Sequence, residues 1–81
     1  MTNQAARTGR VGVGLIGAGM ISDTYLDNLT SFPDVEVLMV SDRDVPRAQA
    51  QAEKHGVPAW GGPDDVLGHP DIELVVNLTI P

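Results

Sequence analysis

A glycine-rich turn follows directly on an apolar, β-branched run and leads into a helical pattern in the stretch VGVGLIGAGMIS, residues 11–22. A short run of this kind, bounded by turn residues, is typical of a buried strand. Because side chains alternate along a strand, Gly12 and Gly14 lie on the same face. Glycine inside a strand marks a close approach by another element. The stretch therefore predicts a strand with a helix packed tightly against its glycine face.

The remainder of the chain alternates between apolar runs and amphipathic stretches. Helices are predicted over residues 20–32, 45–56 and 62–69, and further strands over residues 35–42, 57–60 and 72–79. The order β-α-β-α-β-α-β with short connections predicts an α/β fold, in which right-handed crossovers build a parallel sheet.

Local signals define two of these elements more closely. Pro46 suits the first turn of a helix, and Gly56 stands where the residue after a helix end is commonly glycine. In the second strand, alternation places Val35, Val37 and Met39 on one face. The second helix is therefore predicted to end at Gly56, and the second strand to present one apolar face.

The charge balance restricts the possible partners. The chain has 5 Lys and Arg residues against 11 Asp and Glu residues, a formal charge of −6, and its acidic groups are spread along the sequence. Nucleic acid and anionic membrane surfaces both require a basic patch. The sequence therefore argues against either as a partner.

Cysteine content and the N-terminus restrict the class of protein further. The 81 residues include no cysteine, which excludes disulfides and thiolate metal sites. Residues 1–10 predict a flexible polar tail and lack the apolar core of a secretory signal. No apolar run approaches the roughly 20 residues of a membrane span. A cytoplasmic protein with one small domain is expected.

The turn has the glycine spacing of a phosphate-binding loop. It also lies between a predicted strand and a predicted helix, which is the context that such a loop requires. In such loops the first glycine permits the tight turn, the second lets the backbone approach a pyrophosphate, and a small third residue, here Ser22, keeps the helix close. Amides at the helix start then face the phosphates. The candidate loop residues are Gly17, Ala18, Gly19, Met20 and Ile21. The alternative is a plain strand–turn–helix with glycine in the turn.

Asp42 ends the second predicted strand, 25 residues after Gly17, whereas the carboxylate that binds ribose hydroxyls typically follows the loop by about 20. The alternative role is a helix cap, for which Asp44 is the better candidate. Arg43 would meet the adenosine end of a cofactor. The negative charge of Asp42 would repel the 2′-phosphate of NADP, so NAD is the expected cofactor. The positive charge of Arg43 would partly offset this repulsion, which keeps NADP as an alternative.

Three stretches together resemble the N-terminal part of the Gfo/Idh/MocA oxidoreductases, a family that includes glucose–fructose oxidoreductase and inositol dehydrogenases. They are VGVGLIGAGMIS, VEVLMVSDRDVPRAQAQAEKHGVPAW and DDVLGHPDIELVVNLTIP, which cover essentially residues 11–81. Ser22, Tyr25 and Ile80 depart from the glycine, histidine and proline that are common in the family. The resemblance implies that residues 11–81 are the first half of a dinucleotide-binding Rossmann domain, with a truncated sheet.

The resemblance also implies a strand order and the position of the site. The predicted strands would lie in the order third, second, first, fourth, and the crevice would open between the first and the fourth at their carboxyl ends. Thr79, Ile80 and Pro81 would line its far wall.

The resemblance implies an NAD(P)-dependent oxidoreductase, expected to be a homo-oligomer, acting on a sugar, inositol or related polyol. Relatives carry a Glu-Lys-Pro motif and a substrate-binding α+β domain further along, and this chain contains neither. The chain by itself is therefore expected to be catalytically inert. Two alternatives remain: a non-catalytic dinucleotide-binding regulatory or scaffold protein, and a Rossmann dehydrogenase of another kind.

No catalytic or metal-ligating residue is predicted within the chain. His55 falls in the last turn of a helix, where a cation is favoured by the helix dipole. His69 precedes Pro70 in a turn. Asp64 and Asp65 are adjacent in a helix start, so they indicate a solvated first turn rather than an acid/base pair.

Overall fold

The computed structural model describes residues 10–79, so the predicted tail, apart from its last residue, and Ile80 and Pro81 lie outside the described part of the chain. Within it, four strands alternate with three helices: β1 (Val11–Ile16), α1 (Ser22–Ser31), β2 (Val35–Ser41), α2 (Val45–His55), β3 (Ala59–Gly61), α3 (Pro63–Leu67) and β4 (Leu74–Asn77). This order confirms the predicted β-α-β-α-β-α-β pattern. The longest of these helices, α2, has 11 residues and is too short to cross a membrane.

The four strands form one parallel sheet in the order β3-β2-β1-β4. This is the order that the resemblance implied, and the fold is an α/β Rossmann-type sheet with helices. Leu15 packs with Leu26 of α1 and with Ala48 and Ala52 of α2, all of them fully buried. Because successive strand residues point to opposite faces, α1 and α2 cover one face of the sheet and α3 covers the other, where the neighbouring Gly14 points.

The pairing of β1 with β2 contains an irregularity that sequence alternation did not predict. Val13 pairs with Val37, but Gly14 pairs with Met39, so β2 holds one extra residue, Leu38, at this point. A bulge of this kind moves the residues that follow to the other face. The predicted common face of Val35, Val37 and Met39 is therefore wrong, and Val40 is fully buried instead.

The last strand is also shorter than the predicted 72–79. The amide of Ile72 donates to the carbonyl of His69 across a turn, at 3.3 Å, and regular strand geometry begins only at Leu74. At the other end, the side chain of Asn77 accepts a hydrogen bond from the amide of Thr79 at 2.9 Å, which bends the chain out of the strand.

The ends of α2 follow the predicted local signals. Asp44 is the N-cap, and its carboxylate accepts from the amide of Arg47 at 3.4 Å, with Pro46 in the first turn. Gly56 ends the helix in the left-handed conformation, at φ 72°, and its position confirms the predicted stop. Only a residue without a side chain adopts this φ at little cost.

The glycine face of β1 is tightly covered, as predicted. A Cβ built on Gly14 would lie 2.7 Å from Cγ1 of Val66 in α3 and 2.7 Å from Cδ1 of Ile72. Both distances are well inside carbon–carbon contact. The backbone of β1 therefore approaches α3 more closely than any other residue type would permit.

We expect Gly14→Ala to lower the free energy of unfolding by about 1–3 kcal/mol, because the added methyl overpacks this contact. Val66→Ala removes one of the two obstructing methyls, so the double variant should lose less than the sum of the single losses. Gly62→Ala is the control, since a Cβ there would meet only Oδ2 of Asp65, at 3.8 Å. Urea unfolding of the intact protein measures all four, and strictly additive losses would contradict the prediction.

Candidate functional site

A cavity of about 740 Å³ opens at the carboxyl ends of β1, β2 and β4. Clefts at this end of a parallel sheet are the usual binding sites of α/β proteins. Three of the residues predicted from sequence line it, namely Asp42, Arg43 and Thr79. The complete lining comprises Ile16, Asp42, Arg43, Asp44, Arg47, Pro63, Leu67, Asn77 and Thr79.

Gly17 begins the glycine-rich loop directly after Ile16, and its backbone requires glycine for two reasons. Its φ of 108° is a conformation that residues with a side chain rarely adopt. A Cβ built there would also lie 3.2 Å from Cβ of Leu78 and 3.2 Å from Cγ2 of Thr79. The first glycine therefore makes the tight turn that was predicted and lets the loop lie against the end of β4.

The outer part of the loop leaves backbone donors free. A Cβ built on Gly19 would meet nothing within 4 Å, and Met20 is 92% exposed. Among residues 10–79, the amides of Gly19, Met20 and Ile21 have no hydrogen-bond partner. They stand at the N-terminus of α1, a helix of 10 residues. Free amides at a helix start, aided by its dipole, form a site suited to an anionic group.

The carboxylate of Asp42 joins the loop to the start of α2. Its Oδ2 accepts from the amide of Ala18 at 2.7 Å, and its Oδ1 accepts from the amide of Asp44 at 2.8 Å. The guanidinium of Arg47 completes the set at 3.2 Å. The side chain of Asp42 is only 8% exposed, so these donors replace most of the water that an ionised carboxylate would bind.

These contacts determine the charge state of Asp42. Burial opposes ionisation, but the hydrogen bonds from Ala18, Asp44 and Arg47 outweigh it and hold the pKa of Asp42 below its usual range. A carboxylate that accepts several hydrogen bonds is favoured in its charged form. Asp42 is therefore negatively charged at neutral pH, and the adjacent guanidinium of Arg47 balances that charge.

Arg47 and Asn77 are polar residues of the cavity that sequence reasoning did not assign to the site. Arg47 lies in the first turn of α2, within reach of the strand end that carries Asp42. Asn77 is the last residue of β4, a position at which side chains meet the cavity. Its place at the carboxyl end of a predicted parallel strand was the signal that could have identified it.

The structure brings some predicted residues together and leaves others apart. Ala18, Asp42 and Arg43 are neighbours, and Gly17 adjoins Thr79 on the other side. The outer loop residues Gly19, Met20 and Ile21 do not line the cavity. Ile80 and Pro81 lie outside the described residues.

Neither histidine lines the cavity. The ring of His55 is buried between α1 and α2, with Nε2 2.9 Å from Oδ1 of Asp23 and Nδ1 3.3 Å from Oδ1 of Asp27. Nδ1 of His69 accepts from the amide of Asp71 at 3.1 Å. Over residues 10–79, no three His, Asp or Glu side chains are grouped so that they could hold a metal ion.

Comparison with known proteins gives consistent matches. The GFO_IDH_MocA family profile, described as an oxidoreductase family with an NAD-binding Rossmann fold, matches residues 11–81. The trans-1,2-dihydrobenzene-1,2-diol dehydrogenase of Bos taurus is 36% identical over 64 residues, which are 75% of this chain and 19% of that enzyme.

Two solved structures share the fold at 28% identity. GenD2 from gentamicin A biosynthesis, in complex with NAD, has a TM-score of 0.78 and matches 86% of this chain and 20% of its own. KijD10, a 3-ketoreductase from Actinomadura kijaniata in complex with NADP, has a TM-score of 0.75 and matches 82% of this chain and 21% of its own. The chain thus spans about a fifth of the length of its relatives.

We expect Asp42→Asn to lower the free energy of unfolding at pH 7 by about 1–3 kcal/mol, because the amide nitrogen cannot accept from a backbone N–H and leaves a donor unpaired. The pKa of Asp42 is lower in the folded state, so the carboxylate stabilises the fold above its ordinary pKa of 3.8, and this contribution is lost as the pH falls below that value. The difference between the wild type and the variant should therefore shrink at pH 3.

Urea unfolding of the intact protein at both pH values measures this difference. Asp44→Asn is the control, since asparagine caps a helix as well as aspartate does. A pH-independent difference for Asp42→Asn would show that the charge of Asp42 does not stabilise the fold.

Proposed function

The chain belongs to the Gfo/Idh/MocA oxidoreductase family, and from that premise we propose that it binds the dinucleotide cofactor of an oxidoreductase that acts on a sugar, inositol or related polyol. Residues 11–81 would form the first half of the cofactor-binding domain. The loop between β1 and α1 is the observation that carries the proposal, because it combines a left-handed glycine with three helix-start amides that have no partner within residues 10–79.

The loop and the cavity offer complementary groups to such a cofactor. The amides of Gly19, Met20 and Ile21 would receive the pyrophosphate, since they are unpaired among the described residues. Gly19 has open space where a side chain would project, so no atom of residues 10–79 obstructs an anion that approaches there. When bound, the nicotinamide ring carries the hydride that the reaction transfers.

The adenosine end of the cofactor would lie at Asp42 and Arg43. The carboxylate of Asp42 is charged and lines the cavity, and its contact with the half-exposed Arg47 side chain is the one that hydrogen bonds from ribose hydroxyls would replace. Thr79 would form the opposite wall. The relatives support a dinucleotide as the ligand, since the solved structure of GenD2 is a complex with NAD and that of KijD10 is a complex with NADP.

We propose NAD(H) as the preferred cofactor. A 2′-phosphate would meet the negative charges of Asp42 and Asp44, both of which line the cavity. Arg43 and Arg47 also line the cavity. The guanidinium of Arg47, however, already forms an ion pair with Asp42 at 3.2 Å. The balance therefore favours ribose hydroxyls, while the two cations keep NADP(H) as a weaker ligand.

The catalytic step is assigned to residues outside this chain. Residues 10–79 provide no histidine or lysine in the cavity that could serve as a general acid or base. The family membership sets aside a Rossmann dehydrogenase of another kind. An activity assay of the intact protein distinguishes the oxidoreductase from a non-catalytic dinucleotide-binding protein. The oxidoreductase would oxidise NADH with keto-sugars or reduce NAD with inositols, and the non-catalytic protein would do neither.

We expect Gly19→Val to abolish dinucleotide binding, because the side chain would occupy the space in front of the free amides. The melting temperature should change little, since a Cβ at Gly19 meets nothing within 4 Å. Asn28→Val, on an exposed position of α1, is the matched control and should bind normally. Calorimetry of the intact protein with NADH provides the measurement. Unaltered affinity of Gly19→Val would show that this loop does not bind the phosphates.

We expect the intact protein to bind NADH more tightly than NADPH, and Asp42→Ala to narrow or reverse that ratio by removing the repelling charge. Arg47→Ala should act in the opposite direction, because it leaves the charge of Asp42 unbalanced. Fluorescence titration with both cofactors tests the three proteins. Tighter binding of NADPH by the wild type would contradict the proposed preference.

A further inference from the structure

Ser22 replaces the third glycine of the loop pattern, and its hydroxyl is part of a partly buried hydrogen-bond chain. The residue is fully buried at the start of α1. Its Oγ donates to the carbonyl oxygen of Gly19 at 2.6 Å, and its backbone amide donates to the same oxygen at 3.0 Å. The side chain and the main chain of Ser22 therefore both hold the Gly19 carbonyl.

Gln51 of α2 determines which way the Ser22 hydroxyl points. Nε2 of Gln51 lies 2.8 Å from Oγ of Ser22 and 2.8 Å from Oδ1 of Asp23. A carboxylate oxygen can only accept, so the Gln51 group between the two is the NH₂ donor. Because Oγ of Ser22 accepts from that donor, its own proton is directed to the Gly19 carbonyl.

Asp23, whose carboxylate accepts from Gln51, is itself held by two further side chains of α2. Nε2 of His55 and Nζ of Lys54 lie 2.9 and 3.1 Å from the Oδ1 of Asp23 that Gln51 also bonds. The hydrogen bonds from His55, Gln51 and Lys54 keep the pKa of Asp23 well below its ordinary range. The carboxylate that orients Gln51 is therefore charged across the neutral pH range.

The direction of one carbonyl fixes the direction of the next amide. In a planar trans peptide, the C=O of Gly19 and the N–H of Met20 point in opposite directions. Holding the Gly19 carbonyl toward α1 turns the Met20 amide away from the helix, and this amide is one of the three free donors of the loop.

We propose that Ser22 and Gln51 are positioning residues of the dinucleotide site, which orient the Met20 amide toward the pyrophosphate. This inference rests on the proposed function. It assigns to α2, which carries Gln51, a part in cofactor binding. A glycine at position 22 would lack this side-chain hydrogen bond to the loop. Serine is larger than glycine, and its hydroxyl supplies the bond.

Dissociation constants of NADH for the intact protein test the proposal, with melting temperatures measured in parallel. Ser22→Ala should weaken NADH binding about fivefold, the effect of one lost hydrogen bond. Gln51→Met should weaken it less, and should add little in the Ser22→Ala background, because the two side chains act as one chain. Gln49→Met is the matched control, since Gln49 lies on the same helix and its side chain donates to Glu53 at the surface, away from the loop.

Adenosine separates positioning from general damage, because it lacks the pyrophosphate. It should displace NADH with the same inhibition constant from the wild type and from each variant. NADH affinity within about twofold of wild type for Ser22→Ala, or an equal loss for adenosine, would overturn the inference. A wild type that binds neither NADH nor NADPH would instead overturn the proposed function.

Discussion

The buried carboxylate of Asp42 is the interaction on which the geometry of this site depends. An ionised group that is removed from water must be met by donors, and here the donors come from the loop, from the chain leading into α2 and from Arg47. The requirement to satisfy one charge thereby fixes the loop relative to two other elements. The end of β2 is at once a structural junction and a wall of the cavity.

Most of the fold could be predicted from local patterns. The β-branched runs, the glycine-rich turn, Pro46 and Gly56 each encode a strand, a turn or a helix end through the conformations they allow. The bulge at Leu38 could not be predicted, because a register shift depends on the strand that pairs with β2 and leaves no trace in its own alternation. The order of the strands came from the family resemblance rather than from residue chemistry.

The candidate site was predicted less completely than the fold. The loop and Asp42 were predicted from their spacing along the chain and from their places after predicted strands. The partners of Asp42 and Ser22 were not, since Arg47 and Gln51 meet them only through the packing of α2 against the sheet and α1. Hydrogen bonds between elements of this kind depend on tertiary geometry, and neither composition nor periodicity carries that information.

The sheet order has a consequence for how the chain acquires its structure during synthesis. β1 is made first and lies in the interior of the sheet, where Val11 pairs with Val35 and Val13 pairs with Leu74. One edge of β1 therefore pairs with a strand that follows 24 residues later in the sequence, and the other edge pairs with a strand 61 residues later. Contacts so distant in sequence form slowly. The edge of β1 that pairs with β4 therefore stays open until the last of these four strands has been made.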